Sequence, residues 1–160
     1  MSHQYLGIIG QTAPALVVDE WADVEGLNKS EFKLSDHDGE VVVLFFFQSW
    51  CPGCHSRGFP TLKKMIDKYK DKKAAFAAIQ TVFEGHDANT FATTEKTESE
   101  YGLGIPFGHA SGESNPRGTP QLMADYKTGG TPWFVVIDQE GKVAYNDFHI
   151  EVDELDKYIR

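Results

Sequence analysis

The chain has 160 residues, 41% hydrophobic, 24% charged and 12% aromatic, enough for a self-sufficient core without covalent staples. Fifteen basic against 24 acidic residues give a net charge of −9, the wrong sign for binding a phosphate backbone. The longest apolar run, Val41–Phe47, is far too short to span a bilayer.

The first 25 residues contain no Lys or Arg and no long apolar stretch, so no secretory signal is expected and the chain as given reads as cytoplasmic. Asp36–His37–Asp38–Gly39 reads as a turn. Val41–Phe47, β-branched and aromatic with no polar position, reads as a central strand covered on both faces. Ser56–Tyr69 follows as a helix, with Leu62, Met65, Ile66 and Tyr69 on one stripe. Pro60 should either bend that helix or mark its true start. Residues 55–73 carry seven of the basic groups against Asp67 and Asp71, which reads as a solvated basic helix face. The Glu84-Gly85-His86-Asp87 cluster reads as loop surface.

Ala74–Val82 reads as a second strand, and Trp133–Asp138 and Lys142–Asn146 as two more, joined by a Gln139–Glu140–Gly141 hairpin turn. Val152, Leu155 and Ile159 predict a short terminal amphipathic helix. The order strand–helix–strand, then hairpin and helix, predicts a single α/β domain over 1–160: a mixed central sheet with helices on both faces. Residues 84–130 are too long for a plain connection and read as an insertion with its own structure. Within it, a short strand around Ile105, a polar stretch Ser111–Pro120 and a helical turn Gln121–Tyr126 are expected.

Cys51 and Cys54 are the two cysteines of the chain, spaced C-x-x-C where the buried strand gives way to a helix. No second ligand pair exists for a structural zinc, and the six histidines show no metal-binding spacing, so no metal is expected. Free N–H groups at a helix N-terminus stabilise negative charge. Cys51 is therefore the expected thiolate nucleophile, and Cys54, one turn inside, the buried thiol that resolves the mixed disulfide. Pro52 lacks an N–H and fits the first helical turn. Far along the chain, Thr131–Pro132 precedes another strand. A cis bond there would turn the Thr131 backbone towards the cysteines, where a substrate chain could pair as an added strand.

Trp50-Cys51-Pro52-Gly53-Cys54 after an apolar strand, Gly130-Thr131-Pro132 before another, and Val136-Ile137-Asp138-Gln139-Glu140-Gly141 together resemble the thioredoxin-like fold. The opening Ile9-Gly10-Gln11-Thr12-Ala13-Pro14, the Asp38-Gly39 turn and the insertion before the proline resemble its TlpA/ResA and redoxin (AhpC/TSA-like) branch, over residues 7–160. The resemblance implies a thiol–disulfide oxidoreductase with Cys51 attacking, Cys54 resolving and Pro132 as the cis-proline. Trp50, Pro52, Gly53 and Thr131 would contact a protein disulfide substrate. No cofactor beyond the cysteine pair is implied, and an upstream thiol or dithiol would restore it in a monomeric protein. Relatives of this branch are often exported, which sets periplasmic export against the cytoplasmic reading.

Two departures concern the proton on Cys54. Phe45 stands where thioredoxins carry a buried Asp, and Arg57 and Gly58 stand near the place of a Glu in ResA-like proteins. The interval from Cys54 to Pro60 is one residue longer than usual. His55 and Gln80 are candidate proton acceptors, although His55 also reads as an exposed surface histidine. If near the sulfurs, Arg57 would favour the thiolate. A redoxin-type peroxidase and a thiol-based copper-binding module are the competing functions. Against the first, no Thr and no upstream Pro lie between Phe45 and Cys54. The second generally needs a wider cysteine spacing and a distal histidine, for which His149 is the candidate.

Overall fold

A strand without a polar position is stable only where both its faces are covered, and Val41–Phe47 is buried at every residue. The structure, a computed structural model, describes residues 6–112 and 118–160. Among these, the strands are β1 (Glu20–Trp21), β2 (Val41–Phe47), β3 (Ala74–Val82), β4 (Phe107–Ser111), β5 (Trp133–Ile137) and β6 (Val143–Asp147). They form one mixed sheet in the order β1-β4-β3-β2-β5-β6. β2 runs parallel to β3 and antiparallel to β5, and β3 runs parallel to β4.

Alternation along β2 divides the core into two layers. Val41, Val43, Phe45 and Phe47 face α1 (Phe59–Tyr69), against its buried Phe59, Leu62, Met65 and Tyr69. α2 (Phe91–Tyr101) adds its two terminal aromatics to the same layer. Val42, Leu44 and Phe46 face the other way, against Leu122 and Tyr126 of α3 (Gln121–Tyr126) and against Ile8 and Phe32. Helices therefore cover both faces, as expected. No helix of the described residues is long and apolar enough to cross a membrane.

The helix after the cysteines differs from its predicted form. Residues 54–58 form a π turn, in which the Phe59 N–H reaches back to the Cys54 carbonyl, five residues away. A π turn is what one residue inserted into an α-helix produces, and it accounts for the long Cys54–Pro60 interval. Pro60 then falls in the first turn of α1, directly after the π turn, so its missing N–H coincides with the break in the α-helical ladder.

Several predicted boundaries are corrected. Residues 84–130 do more than connect, because β4 from this segment is an inner strand of the main sheet. The strand expected around Ile105 begins at Phe107, Ile105 itself being buried in the preceding bend. α3 matches its predicted range, and residues 113–117 of the polar stretch lie outside the described residues. The terminal helix is a single 3-10 turn, Glu154–Lys157. Its Leu155 is fully buried and Val152 and Ile159 pack beside it, so the apolar residues dock without a full α-helical turn forming.

α2 leaves no hydrophobic period in the sequence because its inward face is polar: its buried residues are Thr94 and Thr97. The Thr90 side chain caps the start by accepting from the Thr93 N–H at 3.3 Å, and left-handed Gly102 ends the helix.

Gly58 closes the strand–helix junction. A Cβ built there would lie 2.6 Å from Phe45 Cζ and 3.4 Å from Pro132 Cβ. Phe45 is itself held by Phe59 at 4.9 Å and Phe134 at 4.8 Å, ring centre to ring centre, so it has little room to retreat. Gly58→Ala is expected to destabilise the protein by about 1–3 kcal/mol, the usual range for overpacking a closed core. Urea unfolding with an unchanged midpoint would refute this.

Candidate active site

β2 ends at Phe47, and the next seven residues carry the chain into the helix. The Cys51 N–H donates to the Gln48 carbonyl at 3.0 Å, which turns the chain and brings Cys51 round to the helix start. The Cys54 N–H donates to Cys51 Sγ at 3.3 Å, and the Cys51 thiol lies 3.7 Å from the Thr131 carbonyl. Both cysteines are free thiols. Cys51 retains 7% exposure and Cys54 none, the asymmetry expected of an outer and an inner sulfur.

The Thr131–Pro132 bond is cis, and Pro132 is buried against the cysteine loop. A Cβ on Gly53 would meet Pro132 Cδ at 3.5 Å, so two segments far apart in the chain are in contact. Trp50 is 46% exposed and Pro52 is exposed, while Gly53 and Thr131 are partly covered. Cys54 and Thr131 thus meet the Cys51 sulfur directly, Pro132 packs on Gly53 of the same turn, and Trp50 and Pro52 flank the nucleophile in the chain.

Burial, and then hydrogen bonding with the Cys51 sulfur, pushes the Cys54 thiol well above its ordinary range. The volume beneath it is apolar. Phe45 sits within the Phe47, Phe59 and Phe134 rings, so the place of a buried carboxylate is filled by an aromatic cluster.

The polar residues flanking the motif correct the sequence expectations. His55 is not a free surface side chain. Its Nε2 lies 2.5 Å from the Ser49 carbonyl, which can only accept, so Nε2 carries the proton; Nδ1 pairs with the Tyr101 hydroxyl at 2.6 Å. Tyr101 is raised in pKa by burial first, then by the charge of the neighbouring Glu100. Arg57 is exposed and lines a groove with Gly58, Thr61, Phe134, His149 and Glu151.

Gln80 is a loop anchor. Its Oε1 accepts the Ser49 N–H at 2.5 Å, and its Nε2 donates to Thr94 Oγ1 at 2.9 Å and the Thr90 carbonyl at 3.1 Å. Ser49 Oγ lies 3.0 Å from Thr97 Oγ1. Every polar group of Ser49 is therefore held, two residues before the nucleophile. Asn89 holds the next residue, accepting the Trp50 N–H at 3.2 Å and donating to the Glu84 and Gly85 carbonyls. The 84–89 loop, whose acidic cluster reads as plain surface, so forms one wall of the site. Ser49, Asn89, Thr94 and Thr97 give no sequence signal beyond being polar.

Comparison with known proteins agrees with this arrangement. The redoxin family model matches residues 9–158. The thiol-disulfide oxidoreductase ResA of Bacillus anthracis is 29% identical over 136 residues, covering 84% of this chain and 66% of that protein, a little under two thirds of its length. Among solved structures, a thioredoxin-like superfamily protein superposes with a TM-score of 0.77 at 30% identity, covering 87% of this chain and 86% of the other. A thiol-disulfide isomerase from Corynebacterium glutamicum does so with a TM-score of 0.73 at 30% identity, covering 91% of each chain.

A thiol reacts as its thiolate, and each unit by which a pKa lies above ambient pH removes about tenfold of that form. A raised Cys54 therefore means less thiolate at every pH below its titration. At pH 7 the lone Cys54 of a Cys51→Ser variant should alkylate with iodoacetamide at least about tenfold more slowly than the lone Cys51 of Cys54→Ser. Equal rates, followed by mass shift, would contradict the asymmetry.

Proposed function

Since the chain belongs to the redoxin family, within the thioredoxin-like superfamily, we propose that it is a thiol–disulfide oxidoreductase whose electrons reside in the Cys51–Cys54 pair. The observation that carries this reading is the position of Cys51 Sγ, 3.3 Å from a helix-start N–H and 3.7 Å from the carbonyl that precedes a cis-proline. An N–H donor at that distance favours negative charge on the outer sulfur, and the carbonyl marks where a substrate backbone can lie.

In the reducing direction, the Cys51 thiolate attacks one sulfur of a protein disulfide. A bond forms between Cys51 and that sulfur, the substrate S–S bond breaks, and the other substrate sulfur leaves as a thiolate. Cys54 then gives up its proton, which the departing thiolate can take, and attacks Cys51 Sγ. The Cys51–Cys54 bond forms and the second substrate sulfur leaves. Two electrons have passed to the substrate, and an upstream thiol or dithiol returns them.

The high Cys54 pKa suits this order of events. A protonated inner thiol does not compete for the incoming disulfide, and it becomes a nucleophile only when a strong thiolate is generated beside it. Trp50 and Pro52 offer an exposed rim for the substrate, and the Thr131 backbone offers pairing to an extended strand.

Reduction of insulin disulfides with dithiothreitol as electron source tests the reading. Wild-type protein should accelerate the reaction, Cys51→Ser should fall to background, and Cys54→Ser, pre-reduced and then freed of dithiothreitol, should accumulate a mixed disulfide with insulin visible on non-reducing gels. Rapid hydrogen peroxide turnover without insulin reduction would instead support a peroxidase, and tight Cu(I) binding without reductase activity a metal-delivery module.

A further inference from the structure

A buried histidine on β4 is joined by hydrogen bonds to the loop that carries Cys51. His109 is 6% exposed, and its Nδ1 lies 3.0 Å from Thr94 Oγ1 and 3.5 Å from Gln80 Nε2. The Ser49 N–H can only donate, so the Gln80 atom 2.5 Å away is its carbonyl oxygen. The other end of the Gln80 amide is then the NH₂, which donates to Thr94 Oγ1 at 2.9 Å. Thr94 accepts there and has its own hydroxyl proton left for His109 Nδ1; the Gln80 NH₂, a donor 3.5 Å from the same nitrogen, favours the tautomer in which Nδ1 is the acceptor. The chain Ser49–Gln80–Thr94–His109 is thus consistent in donor and acceptor at each step, and it is buried beyond Ser49.

We propose that His109, acting through Thr94 and Gln80, is a positioning residue for the Cys51 loop, and that its neutral ring is the form that holds the loop in place. The proposal rests on the dithiol reading of the site. A proton on Nδ1 would turn the terminal acceptor into a donor and set a positive charge 3.5 Å from the Gln80 NH₂. The Thr94 hydroxyl proton would have to turn away, and the Gln80 NH₂, still held by the Thr90 carbonyl at 3.1 Å, would be pushed from the ring and would shift the amide that grips Ser49. Burial holds His109 below its ordinary pKa, and the carboxylates of Asp19 and Glu20, on the β1 side, oppose that shift. The side chains facing the ring from β3 and α2, namely Gln80, Phe91 and Thr94, are uncharged. The neutral ring therefore prevails at neutral pH, and acidification loosens this one hold on the loop.

The test follows the Ser49 amide by ¹⁵N–¹H NMR of the reduced protein from pH 8 to pH 4.5, with the His109 ring proton followed in parallel. His55 also faces Ser49, so the difference between wild type and His109→Asn isolates the His109 contribution. Asn offers an acceptor near the position of Nδ1 but does not titrate. In wild type, the Ser49 resonance should show a step with the midpoint of the His109 ring. That step should vanish in His109→Asn, with the resonance remaining at its neutral-pH position. In Thr94→Val the ring should still titrate while Ser49 no longer follows it. Alkylation of Cys51 at pH 7.5 should slow severalfold in Thr94→Val and keep the wild-type rate in His109→Asn. Identical Ser49 titrations in wild type and His109→Asn, or Thr94→Val matching wild type in both measurements, would overturn the proposal. Because the amide shift needs no turnover, a protein that fails to reduce insulin but shows the step would refute the dithiol reading and leave the relay standing.

Discussion

Gly58, Phe45 and Pro132 meet where β2, the helix after it and the cis-proline converge, and the position of both sulfurs depends on that contact. Gly58 leaves room for the Phe45 ring, and the ring fills the space beneath the inner cysteine. Pro132 packs against both Gly58 and Gly53, so the cis bond and the cysteine turn hold each other in register. With an apolar floor, the inner thiol is desolvated and stays protonated, whereas the outer one lies beside a backbone N–H at the edge of solvent. The difference between two chemically identical groups therefore arises from packing.

A second set of contacts works on the other side of the motif and is polar. Ser49 is fixed at its N–H by Gln80, at its carbonyl by His55 and at its hydroxyl by α2. Trp50 is fixed by Asn89. The nucleophile thus comes after two residues with little freedom, a preorganisation that a reactive loop needs if it is to meet a partner in one geometry. The apolar contact sets the depth of the sulfurs, and the polar one sets their aim.

The features legible in the sequence are those that leave a pattern in hydrophobicity or spacing. Val41–Phe47 is apolar throughout, Leu62–Met65–Tyr69 repeats at helical intervals, and Cys51–Cys54 with Thr131–Pro132 marks a reactive corner. The illegible features depend on polar residues that satisfy one another in three dimensions. α2 is a helix whose buried face is threonine, and it exists to bond Gln80, Ser49 and His109 rather than to bury carbon. Periodicity detects only hydrophobic faces. His55 reads as surface for a related reason: the partner that covers it, Tyr101, ends that same polar-faced helix. The extra residue before Pro60 is visible as a count, but its meaning requires the backbone.

That extra residue has a geometric consequence. Successive positions on a regular α-helix are rotated by about 100°, so one residue added with α geometry would turn everything on its N-terminal side round the axis by that angle. The wide turn at 54–58 takes up that residue within itself, so the buried stripe of α1 and the sulfur-bearing turn each keep their own orientation on either side of it. A chain lacking one residue in this stretch could close the bulge into a uniform spiral with both ends still in place, losing only the widened turn between Cys54 and Pro60.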